Sequence, residues 1–439
     1  MLKISLASLG CSKNLVDAEQ MLGIINEKGW EIMENEEDAD VMVVNTCAFI
    51  ESAIRESLDC IFELISQKKK DSHKKLIVTG CMAQRYKEDI LSEIPEVDAV
   101  VGTNDFHKIA EVIENLCEEK VVLCDGEEIN IEGLPRMVTT PSYTAYIKIA
   151  DGCDNKCTYC AIPSIRGKYR SRKIEDIVAE AEKLAEDGAK ELIVIAQDTT
   201  RYGMDIYGEY KLSELLRELC KIEKLKWVRV HYCYPELVNE ELVRTFKEEE
   251  KICNYFDIPI QHSSDKILKR MGRRTNHEQL VKMLELIRTE IPDAIIRTSL
   301  ITGFPGETEE DFEDLLEFVK YAKFDRLGVF AYSQEEGTPA AKLDNQVDEE
   351  EKIARQEGVM LLQAEISEEL NRKKIGQTLE VLVEGRDEII KSYFGRTYGD
   401  SIDIDGKVFF KSENKLNEGD LVSVLINESL EYDLFGEEI

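Results

Sequence analysis

Between residues 4 and 331 the sequence repeats one design: a short apolar run, a turn, then a longer stretch with the period of a helix. Runs that alternate with helices fold as parallel sheets, because a parallel pair needs a long crossover and the helix supplies it. Three runs stand at 4–9, 41–44 and 76–78, and six more at 145–149, 191–196, 227–232, 256–260, 295–301 and 326–331. The first group predicts an α/β, parallel-sheet N-terminal domain over residues 1–125, ending where 126–142 turns polar and carries Pro135 and Pro141. The second predicts a partial or complete β/α barrel that, with a trailing helix at 348–374, spans 143–374. Residues 375–439 switch to alternating strands with turn signals at Gly385, Gly395, Gly399, Gly406 and Gly419, which predicts a small antiparallel β barrel.

Each of the first three runs is followed within three residues by a cysteine: Cys11, Cys47 and Cys81. Ligands of open α/β sheets collect at the C-terminal ends of strands, so three cysteines distant in sequence converge there. The first residues carry no signal-peptide pattern and no apolar run approaches the ~20 residues that cross a bilayer, so a cytoplasmic protein without a membrane partner is expected. In that reducing compartment, cysteines stay free or bind metal, which disfavours one disulfide plus a spare thiol. A second triplet lies in Asp151-Gly-Cys-Asp-Asn-Lys-Cys-Thr-Tyr-Cys160, directly after the first barrel run. Three thiolates on one loop, Cys153, Cys157 and Cys160, suit three irons of a four-iron cluster and leave one iron open, the mark of a chemical rather than a structural centre. The alternatives are buried thiols or zinc, but zinc loops usually present paired C-x2-C units and four ligands. Cys60, Cys117, Cys124, Cys220, Cys233 and Cys253 show no such spacing and read as structural.

The C-x3-C-x2-C loop and its position resemble the radical S-adenosylmethionine superfamily. That resemblance implies an open iron that chelates the amino and carboxylate groups of S-adenosylmethionine, reductive cleavage to a 5′-deoxyadenosyl radical, and Tyr159 against the adenine. With both triplets, the domain order is similar to the methylthiotransferase family, whose C-terminal unit is a TRAM barrel. Within it, Leu9-Gly-Cys-Ser-Lys-Asn-Leu-Val-Asp-Ala-Glu19, Ala161-Ile-Pro-Ser-Ile-Arg-Gly167, Gln197-Asp-Thr-Thr-Arg-Tyr-Gly203 and Ile260-Gln-His-Ser-Ser264 resemble the RimO branch. The resemblance implies two [4Fe-4S] clusters, one on Cys153, Cys157 and Cys160 and one on Cys11, Cys47 and Cys81. It further implies one S-adenosylmethionine for hydrogen abstraction, a second as methyl donor, and sulfur carried or delivered at the N-terminal cluster. The implied product is β-methylthioaspartate on small-subunit ribosomal protein twelve, free or within the ribosome, with electrons from an external donor.

In Thr298-Ser-Leu-Ile-Thr-Gly-Phe-Pro-Gly-Glu-Thr308, Gly303 and Gly306 are expected where backbone approaches the nucleotide closely. Gln197, Asp198 and Arg297 lie at or near strand ends and are candidates for ribose or carboxylate contacts, against the plainer reading of scaffold. Residues 331–340 are expected to border the same site, and His262 reads as a hydrogen-bonded scaffold residue. The basic runs at 166–172 and 266–274 are either solvated faces or carboxylate binders at the active edge. Lys plus Arg total 56 against 89 Asp plus Glu, a net −33, which excludes a protein that holds nucleic acid mainly through phosphates. Residues 376–439 hold 6 Lys or Arg against 15 Asp or Glu, a net −9. An RNA-binding barrel should be basic, so this argues against tRNA, the rival substrate for the same chemistry, and for a basic protein partner. An iron–sulfur electron carrier or binding module without radical chemistry is the alternative from another class.

Overall fold

A computed structural model describes residues 1–116, 120–126 and 132–439. The first unit is a six-stranded, wholly parallel sheet of β1 (Lys3–Ser8), β2 (Glu31–Ile32), β3 (Val41–Thr46), β4 (Lys75–Gly80), β5 (Ala99–Val101) and β6 (Val121–Leu123) in the order β2-β1-β3-β4-β5-β6. Both faces of its central strands are covered by helices. Met42, Val44, Leu76, Val78 and Val100 therefore enter one core, while Val41, Val43, Ile77, Ala99 and Val101 enter the other. The continuous apolar runs read from the sequence are this two-sided burial.

The second unit runs through β7 (Thr144–Lys148), the small antiparallel pair β8 (Ala150–Asp151) and β9 (Arg170–Ser171), then β10 (Glu191–Ile195), β11 (Trp227–Val230), β12 (Ile252–Asp257), β13 (Ile295–Thr302) and β14 (Arg326–Ala331). The long strands form an open parallel sheet, β14-β13-β12-β11-β10-β7, so the barrel is partial. Its outer face buries Ile147, Val194, Val230, Phe256 and Ile296 against helices such as Ile174–Glu186, Leu212–Cys220 and His277–Glu290. Two strands differ from expectation. β11 stops at Val230 because Tyr232 takes a left-handed φ of 61°, which no strand accommodates. β12 starts four residues earlier than expected and ends at Asp257, since Pro259 cannot donate to a ladder.

The third unit is a closed barrel, β15-β16-β17-β19-β18, of β15 (Thr378–Asp387), β16 (Ser392–Arg396), β17 (Val408–Lys411), β18 (Leu421–Ser429) and β19 (Leu434–Glu438). Four neighbouring pairs are antiparallel and β17–β19 is parallel, because an odd number of strands cannot alternate all the way round a ring. Its loop between β16 and β17 fills the inner face of the open sheet, which is polar along several strands. Arg396 and Arg229 donate to Glu191 at 2.7 and 2.8 Å, and Arg326 donates to Asp400 at 2.5 Å. Tyr255 donates to Asp405 at 2.6 Å, and Ser401 Oγ lies 2.9 Å from His231 Nε2. Burial holds the His231 imidazole down to about 3, so it is neutral at physiological pH. Ile402 packs on Tyr146, Ile193 and Ile195, a cluster completed by Val16 of the N-terminal unit.

Glu191 is fully buried between two fully buried guanidiniums. Burial alone would raise its carboxyl, but Arg396 and Arg229 outweigh it and hold it at about 2 against an ordinary 4.5. Its contribution is thus complete above pH 4.5 and fades as pH falls towards 2. We expect Glu191→Gln to cost about 3–5 kcal/mol at neutral pH, by leaving both guanidiniums without a carboxylate. In urea unfolding, the gap between wild type and variant should narrow as the pH is lowered below 4.5; a gap independent of pH would contradict the assignment.

Candidate active site between two cysteine triplets

β1, β3 and β4 are direct neighbours in register, Ser8 opposite Asn45 and Asn45 opposite Thr79, so their C-terminal ends are level. Cys11 precedes helix Ser12–Glu27, Cys47 directly follows β3, and Cys81 opens helix Cys81–Glu93. Close packing requires glycine here. A Cβ on Gly10, at φ 87°, would stand 2.7 Å from Cys47 Cβ, and one on Gly80, at φ 91°, would stand 2.3 Å from Asn45 Oδ1. Asn14, wholly buried, ties the ends of β1 and β3 together: its amide donates to Leu9 O at 3.1 Å and Thr46 O at 2.8 Å, while Asn45 donates to Asn14 O at 2.7 Å. Burial pushes the Cys81 thiol up to about 12, with Arg166 pulling it down and Cys11 and Cys47 pushing it further up. Burial likewise raises Cys47. Cys11 has solvent-accessible surface yet a dense protein surround; burial would raise it, but Lys13, Arg166 and the first N–H groups of its helix lower it.

The other triplet stands on a loop held at both ends. Gly152, at φ 77°, lets Cys153 N donate to Gly167 O at 3.1 Å; a Cβ there would lie 1.9 Å from Lys168 O. Thr158 N donates to Met271 O and Ala340 N donates to Thr158 O, both at 2.9 Å, so residues 331–340 do border the loop. Each sulfur faces a donor: Asn155 N–H to Cys153 at 3.4 Å, Ile162 N–H to Cys160 at 3.5 Å, and Arg273 to Cys157 at 4.0 Å. Burial still pushes Cys153 up to about 11 and Cys160 to about 12, so a metal held by these thiols would displace their protons. Donors aimed at three thiol sulfurs, with Gln197 Oε1 and Arg273 Nε buried and unpaired beside them, fit a thiolate-ligated cluster carrying a polar ligand. Among the described residues no Cys, His, Asp or Glu side chains gather tightly enough for a single ion.

The two triplets share one buried charge network. Arg166, at the end of the short helix after Cys160, lies 3.8 Å from Cys81 Sγ and donates to Asn14 Oδ1 at 2.7 Å and Asp17 Oδ2 at 2.9 Å. Its other nitrogen donates to Asp151 Oδ2 at 3.0 Å, two residues before Cys153. Lys148 bonds Asp17 and, at 3.1 Å, Asp151, which also accepts from Gln197 at 2.9 Å. Burial would raise Asp151, but Arg166 and Lys148 hold it well below the usual carboxylate range. Glu19 bonds Arg136 at 2.6 Å and Thr139 N at 2.7 Å, fastening the polar connection between the units.

The structure places the remaining candidates. Gly303 and Gly306 pack against protein on the side a Cβ would occupy. A Cβ on Gly303 would meet Lys352 Cγ at 2.2 Å and one on Gly306 would meet Arg270 Nε at 2.9 Å, while Glu307 already accepts from the N–H groups of Gly303 and Phe304. Arg297 is engaged elsewhere, donating to Asp257 at 2.8 Å and facing Asp405 of the C-terminal barrel at 3.8 Å. The basic runs divide: Arg166, Arg172 and Arg273 are buried with specific partners, whereas Lys168, Lys266, Lys269 and Arg274 are exposed. Gln197 lies beside the Cys153 loop, and Tyr159 meets Phe304 edge-on at 6.4 Å. Burial pushes Asp198 up to about 6, and it accepts from Asn155 and Thr200. His262 accepts from Ser264 N at 2.9 Å, as scaffold. Cys124, Cys220, Cys233 and Cys253 are buried and Cys60 partly so, and Cys117 lies outside the described residues. Sequence reading missed Asn14, Asp17 and Lys148; polar residues on otherwise apolar faces, as in Asn14 and Asp17 one turn apart, were the available signal.

Family models match the radical SAM superfamily over residues 147–319, the uncharacterized protein family UPF0004 over 3–102 and the TRAM domain over 375–439. A Clostridioides difficile (strain 630) protein named ribosomal protein uS12 methylthiotransferase RimO is 57% identical over 439 residues, 100% of this chain and 99% of its own. One of the same name from Thermoanaerobacter sp. (strain X514) is 52% identical over 439 residues, covering all of both chains. Among solved structures, the radical S-adenosylmethionine methyltransferase TsrM from Kitasatospora setae has a similar fold, with TM-score 0.57 at 14% identity over 86% of this chain and 79% of that one.

Arg166→Met should take the guanidinium from Asp17 and Asp151 and remove the donor to Asn14, at a cost of about 3–5 kcal/mol. It should also lower the iron retained by the purified protein. Denaturant unfolding and iron analysis check both, and an unchanged unfolding midpoint would count against the network.

Proposed function

The chain belongs to the ribosomal protein uS12 methylthiotransferase family, RimO, and from this membership we propose that it converts an aspartate of ribosomal protein uS12 to β-methylthioaspartate. The observation that supports the reading best is Arg166, which spans from Cys81 of one triplet to Asp151 beside the other and so makes both parts of a single centre.

On this reading Cys153, Cys157 and Cys160 hold a [4Fe-4S] cluster with one iron left for S-adenosylmethionine, and Cys11, Cys47 and Cys81 hold a second. Bound there, S-adenosylmethionine and iron–sulfur centres supply the radical chemistry and sulfur handling that break a carbon–hydrogen bond no side-chain base can open. The chain's own groups hold and shield. The N–H groups of Asn155 and Ile162 and the Arg273 guanidinium stabilise charge on the three sulfurs of the loop. Tyr159 and Gln197 line the nucleotide side. Asn14 and Asn45 keep the N-terminal cysteines at one sheet edge. The C-terminal barrel, net −9, attracts a basic ribosomal protein, free or in the ribosome, and repels tRNA. Electrons come from an external donor. Among the described residues no helix is long and apolar enough to cross a membrane, and we place the enzyme in the cytoplasm with its substrate.

Mass spectrometry of uS12 and of tRNA from cells with and without the gene tests the substrate. We expect the methylthio group to disappear from uS12 only; loss from tRNA with uS12 unchanged would overturn the reading. In the purified protein, replacing Cys11, Cys47 and Cys81 together by Ala should remove about half the iron while 5′-deoxyadenosine formation persists. Unchanged iron would refute a second cluster.

A further inference from the structure

A second tie between the first two units lies one helical turn beyond Cys81. Arg85 leaves helix Cys81–Glu93, and its Nη1 donates to Glu335 Oε2 at 2.9 Å, with the two side chains 10% and 6% exposed. Its Nη2 donates to Glu336 O at 2.9 Å. Nη1 also donates to Ala48 O at 2.9 Å, so the same guanidinium holds the residue after Cys47. The other Glu335 oxygen accepts from the Ser333 hydroxyl at 2.6 Å. Replacing a buried ion pair by apolar groups often costs little stability, so what such a pair contributes is the fixed direction of its bonds.

The far end of this tie is the other cysteine loop. From Glu335 the chain closes a turn, the Thr338 N–H and hydroxyl both donating to Glu335 O, at 3.2 and 2.7 Å. Two residues further, Ala340 N donates to Thr158 O at 2.9 Å, and Thr158 directly follows Cys157. The stretch from Glu335 to Ala340 spans at most ~18 Å when extended, and the turn shortens it. A short path of hydrogen bonds and chain thus runs from Cys47 and Cys81, through Arg85 and Glu335, to the loop of Cys153, Cys157 and Cys160. Arg166 meets the N-terminal unit at Cys81, and Arg85 leaves the same helix four residues on, about 6 Å along its axis. One contact lets two units pivot about it, and a second at a distance removes that freedom.

We propose that Arg85 and Glu335 are positioning residues that set the separation of the two cysteine triplets, and so couple cleavage of S-adenosylmethionine at one to methylthio transfer at the other. The inference rests on the proposed function, in which both triplets serve one acceptor carbon. Among the described residues neither side chain bonds a cysteine sulfur. Loss of the pair therefore spares iron loading and S-adenosylmethionine cleavage and fails at transfer, where a displacement of about 1 Å is enough to cost on the order of 100-fold.

The test compares the iron-loaded full chain with R85M, E335Q and the double variant, all supplied with uS12. Iron, 5′-deoxyadenosine and methylthiolated uS12 are measured separately, and the reduced clusters are followed by electron paramagnetic resonance. R85M should hold iron and form 5′-deoxyadenosine as the wild type does, while methylthiolated uS12 per 5′-deoxyadenosine falls about tenfold or more. The double variant should be no worse than R85M, because the pair acts as one tie. The magnetic interaction between the two reduced clusters should weaken in R85M. E335Q keeps the volume of the side chain and should lower the ratio in the same direction, which carries the test if R85M loads iron poorly. An unchanged ratio, an unchanged interaction, or losses that multiply in the double variant overturns the inference. So does a fall of 5′-deoxyadenosine in step with product, which would mark a purely structural pair. A wild type that does not modify uS12 overturns the functional reading and this inference with it; one that modifies uS12 with a ratio indifferent to both residues overturns the inference alone.

Discussion

Four buried charges, Asp17, Arg166, Lys148 and Asp151, hold the molecule together at its centre. Lys148, Asp151 and Arg166 of the second unit meet Asp17 of the N-terminal unit in a largely buried cluster, and Asp17 finds its two cations only if both units are docked. The geometry of everything nearby follows. Arg166 reaches Cys81 and Asn14 with one nitrogen and Asp151 with the other, so the N-terminal cysteines cannot shift relative to the Cys153 loop without exposing a charge pair. A buried ionic network adds little net stability over a well-packed apolar one, but its directional bonds specify one arrangement of the units, which a site assembled from two sheets requires.

The C-terminal barrel has a comparable role at the opposite end of the open sheet. An incomplete barrel exposes an inner face, and here that face carries Glu191, Arg229, His231, Tyr255 and Arg326, none of which tolerates an apolar cover. The β16–β17 loop supplies the complementary set, Asp400, Ser401 and Asp405, with Arg396 at the end of β16, and inserts Ile402 as the single apolar contact with the cluster under helix Ser12–Glu27. The barrel is therefore part of the wall of the central unit, and its acidic outer surface is held in fixed relation to the cysteine centre.

Much of the architecture was legible in the chain because it is encoded locally. Apolar runs such as 41–44 and 191–196 are buried on both faces, so period and composition announce them. The errors fell where a tertiary contact overrides local preference: β11 ends early for a left-handed Tyr232 whose N–H bonds Asp257, and β12 ends before Pro259. The glycines of 298–308 show the same limit. Positive φ and close approach are visible in a Gly-Phe-Pro-Gly string, but the side chains that stand beside them, Lys352 and Arg270, are not.

The sequence by itself determined the chemistry of the centre: thiols in two triplets, one by its spacing on a loop and the other by its recurrence after neighbouring strands. These are short-range patterns, and residues close along the chain keep their relation in any fold that forms those strands. Only the tertiary structure decided which charges are spoken for. Arg166 stood in a basic run and Lys148 in a strand, yet their partner Asp17 is 149 and 131 residues away. Charge pairing depends on distances of a few ångströms between distant segments, and no periodicity along the chain carries that information.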